Sequence, residues 1–298
     1  MQKLKIVLPK GRLFNKLEQL FSSIGIKMKL NERSYIPKVS DKNIEIKIMK
    51  PQNIPKVIEM GSHDLGFTGK DWVKETRSNV DEIIDLNYDQ VQIVSAIPNN
   101  LRKEDLKNKK IVAATEYPNI TEKYLTEKNY NFVILKTYGT TEVFPPDDAD
   151  MIIDNSSTGT TLRQNNLKIL DNILSSSTIM IANKNLSKNC FKLNYTNKIK
   201  MLIKSVLNAN KKVILEMNVE KQNLQKIIDF IPSMRSPTVS RLYNSNAYSI
   251  KTAVSKNISS KLIPKLKKLG AKDILEYELR KVIIWTLFMI KQEIGAII

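Results

Sequence analysis

The feature that most narrows what this 298-residue chain can fold into is a recurring unit: a short apolar run, a glycine or proline break, then apolar residues at helical spacing. Leu4, Ile6, Val7 and Leu8 form one such run, Pro9-Lys10-Gly11-Arg12 breaks it, and Leu13, Leu17, Leu20 and Phe21 follow on one helical face. Ile44-Glu45-Ile46-Lys47-Ile48 alternates with period two, and 91–98, 110–115, 132–136 and 150–154 read as further strands. Helical stretches separate them, at 54–60 and 120–128 among others. Strands alternating with helices predict an α/β architecture with mainly parallel sheets.

Beyond about residue 205 the order becomes strand (213–219), helix (224–230), strand (249–254), helix (258–269), then one or two strands over 274–283. This is read as the strand-helix-strand-strand-helix-strand order of a ferredoxin-like module. Hydrophobic residues at 42% and charged residues at 26% exclude disorder, collagen and coiled coil as descriptions of the whole chain. One cysteine, Cys190, and one histidine, His63, leave no His/Cys metal cluster, so any metal is expected to be a hard cation held by oxygens. A polar start with no export signal, together with a free thiol, predicts a cytoplasmic protein.

The net charge of +18, from 48 Lys+Arg against 30 Asp+Glu, suits polyanionic partners but selects none. The lysines are spread along the chain among asparagines, with no basic run or helix-turn-helix, so no nucleic-acid partner is expected. At the far end, apolar residues from Val282 to Ile298 are interrupted by Lys291-Gln292-Glu293. A membrane span needs about 20 mostly apolar residues. The segment is therefore expected to lie at an oligomer contact, and no membrane partner is expected.

Chemistry concentrates in Asp150-Met151-Ile152-Ile153-Asp154-Asn155-Ser156-Ser157-Thr158-Gly159-Thr160-Thr161-Leu162. An apolar strand ends in an acid, a hydroxyl-rich run surrounds one glycine, and a helix begins. Backbone N–H groups and hydroxyls in that layout cradle an anion, and glycine lets a phosphate approach the backbone. The bland alternative is a Ser/Thr-capped helix. No Gly-Lys-Ser/Thr follows, so this is not a Walker loop. Asp154 would serve ribose hydroxyls or Mg²⁺. Lys10-Gly11-Arg12, on a strand-to-helix turn, offers polyphosphate charge neutralisation, although alone it reads as solvated charge. Asp71 is either a helix N-cap or a cleft carboxylate; Tyr117 offers a cleft aromatic and Glu142 a hinge or ribose contact, each with an ordinary structural reading beside it.

The whole chain resembles the ATP phosphoribosyltransferase family in its long form. Leu8–Leu13, Gly61–Gly69 with Asp71, Ala114–Pro118, Tyr138–Glu142, the loop from Asp150 to Leu167, and Pro232–Val239 carry the resemblance in order over residues 1 to about 283. It implies a two-lobed, periplasmic-binding-protein-like catalytic part, with 1–88 and 179–205 as lobe I and 89–178 as lobe II. A C-terminal regulatory domain over 206–283 would bind L-histidine, leaving 284–298 as a tail without counterpart. It further implies transfer of phosphoribosyl from phosphoribosyl pyrophosphate to N1 of ATP with release of pyrophosphate, Mg²⁺ as cofactor, and a homo-oligomer between dimer and hexamer.

Carried over residue by residue, Asp154, Ser157, Thr158, Gly159, Thr160, Thr161 and Leu162 would bind phosphoribosyl pyrophosphate, with Asp154 catalytic and a Mg²⁺ ligand. Lys10, Gly11, Arg12, Asp71, Tyr117 and Glu142 would bind ATP; Ser236, Thr238 and Ala271 would bind histidine. The chain departs from the family in Asn155-Ser156, where many relatives are apolar, and in Asn166, where Gly is usual. The competing reading is a non-catalytic two-lobed binding or ligand-sensing protein, which would need no hydroxyl-rich phosphate loop.

Overall fold

The computed structural model describes residues 2–30 and 34–284, so the apolar segment expected at an oligomer contact falls, from residue 285 on, outside the described residues. The chain forms two compact units. One holds the residues through Gln19 and Ile26–Thr196; the other holds Leu20–Gly25 and the residues from Asn197 on.

In the first unit, β1 (Leu4–Pro9) leads into α1 (Arg12–Ser23), whose last turn belongs to the second unit, and the small ladder β2 (Met28–Lys29) with β3 (Lys38–Val39) follows. Then come β4 (Ile44–Met49), α2 (Ile54–Glu59), β5 (Leu65–Gly69) and α3 (Lys70–Glu75). A long β6 (Asp81–Pro98) precedes β7 (Lys110–Thr115), α4 (Pro118–Glu127), β8 (Asn131–Lys136), β9 (Met151–Ser156) and the short α5 (Thr160–Gln164). A second long strand, β10 (Leu167–Ala182), completes the sheet before α6 (Cys190–Ala209).

The eight-stranded sheet has the order β4-β1-β5-β10-β6-β9-β7-β8. Its outer groups, β4-β1-β5 and β9-β7-β8, are parallel as expected. The middle is antiparallel, because β10 runs against both β5 and β6, and β9 against β6. The register fixes where the strands end. Gly69 at the end of β5 pairs with Thr178, Ser176 with Val91, and Gln92 with Ser156 at the end of β9. The parallel strands of the two groups thus point their C-terminal ends at one midline from opposite sides, the place where open α/β sheets put their ligands.

Both faces of the β9-β7 half are covered. Ile93, Ile111, Ala113, Met151 and Ile153 sit in one buried cluster and Val94, Ala114, Ile152 and Leu162 in another. That explains the continuous apolar runs in these strands, since strands covered on both sides lose the apolar–polar alternation.

The second unit contains β11 (Lys212–Glu220), α7 (Lys221–Phe230), β12 (Thr238–Arg241), β13 (Ala247–Ser255), α8 (Lys256–Lys268) and β14 (Ala271–Glu278), the βαββαβ order expected. Its sheet is antiparallel, with order β12-β13-β11-β14. Val213, Leu215, Met217 and Val219 alternate into the core with Ile227 and Ile231 near α7 and Leu262 and Leu266 of α8. The final segment is the single strand β14, not two.

Candidate active site

Asp154 lies near the midline end of β9, half-buried. Its Oδ1 accepts from the backbone N–H of Asn155 at 2.6 Å and from Asn155 Nδ2 at 3.1 Å, and the buried Thr141 hydroxyl also donates to its carboxylate. Burial is the main reason its pKa stands above the ordinary aspartate value, with the Glu142 carboxylate adding to the rise; Thr141 and Asn155 pull it back. Glu116, on the turn between β7 and α4, is likewise raised by burial and by Asp154. The proximity of Glu116 to Asp154 was not read from the sequence, because it arises from the β7–β9 pairing.

Behind Asp154 lies a buried polar pair. The Tyr117 hydroxyl, on a side chain 1% exposed, donates to Asp71 Oδ2 at 2.9 Å. Asp71, 4% exposed, accepts from Ser176 Oγ on its other oxygen at 2.6 Å and returns its own backbone N–H to Ser176 at 3.0 Å. Burial and the adjacent carboxylate hold the Tyr117 hydroxyl protonated well beyond the usual phenol range. Trp72 stacks on the Tyr117 ring with centroids 4.5 Å apart.

Asp71 therefore takes neither role read from the sequence. Gly69 is the N-cap of α3, and the Asp71 carboxylate turns into the protein. A Cβ on Gly69 would stand 2.1 Å from Asp71 Oδ1, so only glycine leaves that carboxylate its place.

After β9 the chain presents Ser157, Thr158, Thr160 and Thr161 as exposed residues. Gly159 sits among them at φ +70°, in the left-handed region that favours glycine. Thr158 and Thr160 hydroxyls lie 2.9 Å apart, and Arg163 Nη2 reaches the Thr158 carbonyl at 3.2 Å and Thr160 Oγ1 at 3.3 Å. Arg163 was not singled out in the sequence, yet it brings a guanidinium to this loop. Leu162 is 6% exposed and its side chain packs in the core, so it anchors the loop and offers a ligand only its backbone. Asn166 takes φ +56°. Asparagine tolerates that left-handed region better than most residues.

At the midline end of β1, Gly11 has φ +96° and nothing within 4 Å of where a Cβ would stand. Lys10 Nζ meets the Tyr35 hydroxyl at 3.0 Å, and Arg12, its side chain 80% exposed, lies 3.7 Å from Asp89. A cavity of about 290 Å³ adjoins them, lined in part by Lys10, Gly11 and Tyr35. Glu142 follows the buried Thr141, and Thr140 before it holds φ +50°. A β-branched residue there is strained by about 1–3 kcal/mol, a cost usually found at working sites.

In the second unit, Ser236 and Thr238 are exposed, Thr238 on the edge strand β12, while Ala271 opens β14 on the opposite edge. Three strand spacings put those edges about 14 Å apart, so one chain does not gather Thr238 and Ala271 into a single pocket.

Among the described residues no three His, Cys, Asp or Glu side chains converge to hold a metal. Asp154 with Glu116 nearby still suits Mg²⁺, which keeps its waters and binds through one or two carboxylates plus substrate phosphates. No helix among the described residues is long and apolar enough to cross a membrane.

Comparison with known proteins adds independent findings. A family model described as ATP phosphoribosyltransferase matches residues 50–209, and one described as HisG, C-terminal domain, matches residues 209–281. An ATP phosphoribosyltransferase of Chlorobium phaeobacteroides is 40% identical over 94% of this chain and 97% of its own length. One from Thermodesulfovibrio yellowstonii is 38% identical over 94% and 98%. A chain from the solved ATP phosphoribosyl transferase (HisG:HisZ) complex of Thermotoga maritima superimposes with TM-score 0.60 at 27% identity, over 67% of this chain and 98% of that one.

Proposed function

Because the chain belongs to the ATP phosphoribosyltransferase family, and so acts as a transferase in histidine biosynthesis, we propose that the midline of its eight-stranded sheet is where that transfer occurs. The observation that carries this reading is the half-buried Asp154 at the end of β9, followed at once by exposed hydroxyls around the left-handed Gly159.

In this reading Ser157, Thr158, Gly159, Thr160 and Thr161 hold the 5′-phosphate of phosphoribosyl pyrophosphate, with Leu162 fastening the loop to the core. Lys10, Gly11, Arg12 and Glu142 receive ATP. Asp71 and Tyr117, turned inward, support that floor from beneath. Lobes of residues 1–88 with 179–205, and 89–178, supply the two sides.

Adenine N1 has a free lone pair, so no side chain needs to deprotonate the nucleophile before it attacks C1. The remaining work is positioning and charge stabilisation. The ionised Asp154 carboxylate faces the positive charge that develops on the ribosyl carbon, and Lys10 and Arg12 meet polyphosphate charge. Mg²⁺, when bound at Asp154, supplies neutralisation of the pyrophosphate leaving group.

The βαββαβ unit over 206–283 is read as a sensor of free L-histidine, with Ser236, Thr238 and Ala271 as its contacts. Since β12 and β14 are opposite edges, a site using both Thr238 and Ala271 needs two copies, which agrees with a homo-oligomer between dimer and hexamer. The testing experiment mixes ATP, phosphoribosyl pyrophosphate and Mg²⁺ and follows the absorbance of N1-modified adenine. Appearance of that absorbance with wild type and its loss in Asp154→Ala support the assignment. Full turnover by Asp154→Ala overturns it.

A further inference from the structure

The structure gives the side chain of Asn155 two partners. One amide hydrogen of Nδ2 points to the Tyr117 hydroxyl oxygen, 3.2 Å away, and the other to Asp154 Oδ1, 3.1 Å away. The direction of each bond follows from chemistry. The Asp71 carboxylate, which accepts from Ser176 Oγ on its other oxygen, takes the single proton of the Tyr117 hydroxyl. The phenolic oxygen is left with acceptor capacity only, so what faces it must be the amide of Asn155 and not its carbonyl.

The result is a directional chain from the buried Asp71 through Tyr117 to Asn155 and out to Asp154. Its inner members cannot turn, because Tyr117 is stacked under Trp72 and Asp71 is closed in by Gly69. Its outer member is the half-buried Asp154, near the end of β9. We propose that Asn155 is a positioning residue of the transferase reaction, holding the Asp154 carboxylate in its working orientation by anchoring it to the buried Tyr117–Asp71 pair. This inference rests on the catalytic role given to Asp154 above.

The experiment compares wild type with Asn155→Leu, Tyr117→Phe, the double variant and Asp154→Asn. It measures kcat and the KM values for ATP and phosphoribosyl pyrophosphate, and monitors folding by thermal melting. Asn155→Leu, at an exposed position, should melt near wild type, lose kcat by about tenfold, the effect of one hydrogen bond of ~1.4 kcal/mol, and leave both KM values within about twofold.

Tyr117→Phe should act in the same direction, and the double variant should fall short of the product of the two losses, as expected for members of one network. An unchanged kcat in Asn155→Leu, or a loss confined to KM, overturns the proposal. So does a loss of kcat that tracks a fall in melting temperature. If Asp154→Asn keeps full activity, the catalytic assignment fails and this proposal with it; if Asp154→Asn is inactive while Asn155→Leu is normal, only this proposal fails.

Discussion

The hydroxyl of Tyr117, on the turn into α4, donates to the carboxylate of Asp71, in the first turn of α3, at 2.9 Å in a site closed to water. Two helices that follow strands from opposite sides of the sheet midline are thereby tied by one bond beneath the site. Asp71→Ala would leave the Tyr117 and Ser176 donors buried without an acceptor, each costing about 1–3 kcal/mol. Chemical denaturation should show that loss as a lower midpoint with an unchanged slope, accompanied by a fall in turnover.

Gly159→Val tests the hydroxyl loop. A β-branched residue is a poor occupant of φ +70°, and the new side chain would meet Arg163, whose Nη1 stands 3.2 Å from the ideal Cβ position. Leu162 still anchors the loop, so the melting temperature should shift little. Turnover should fall by about a hundredfold or more, as expected when a reacting group is misplaced by an ångström. Steady-state kinetics with phosphoribosyl pyrophosphate varied gives the answer.

The pH dependence follows from Asp154. Burial first, and Glu142 second, hold its pKa above the ordinary value of about 3.9. On acidification the ionised form is therefore lost at a higher pH than for a solvated aspartate, and kcat/KM should fall there. Glu142→Gln removes a neighbouring negative charge and should move that limb to lower pH. A profile of the variant from pH 4 upward, within about four pH units of the ordinary value, measures the direction.

Glu75 caps α4 from a distance. Its carboxylate accepts the backbone N–H groups of Asn119 and Ile120, each at 3.0 Å. Glu75→Ala strips two first-turn donors of their partner and should destabilise the protein by about 1–3 kcal/mol. A change in melting temperature with near-normal KM values is the expected outcome.

For the second unit, histidine at millimolar concentration should lower turnover of the full-length protein, and Thr238→Ala should weaken that inhibition while uninhibited turnover stays as in wild type. Titrating histidine into the standard assay measures both.

The hydroxyl loop was legible because its residues are contiguous: an apolar strand, an acid and a glycine among hydroxyls can be read off thirteen neighbouring letters. The βαββαβ order was legible because β11 alternates cleanly, Val213, Leu215, Met217 and Val219 inward. β10 was not. Its first half carries Asp171 and Asn172, its middle Ser175–Ser177, and its register against β6 shifts five times, so no single period survives. The start of β6 was lost the same way, since Asp81, Glu82, Asp85 and Asp89 look like a loop. The inward turn of Asp71 was hidden for a different reason: its partner Ser176 is 105 residues away, and no local pattern announces a bond of that span.

The central position of β10 also sets a clock for the nascent chain. β5 and β6 are both complete by Pro98, yet the strand that lies between them is not made until Leu167–Ala182. During the synthesis of the intervening residues each exposes a row of unpaired backbone groups, which invites pairing with another chain. The opening half of β6, with its four acids, and the glycines of β5 make those waiting edges poor templates for such pairing. The ribosome must deliver residue 182 before the sheet can close, so a message broken before β10 yields a product with two open edges rather than a smaller working enzyme.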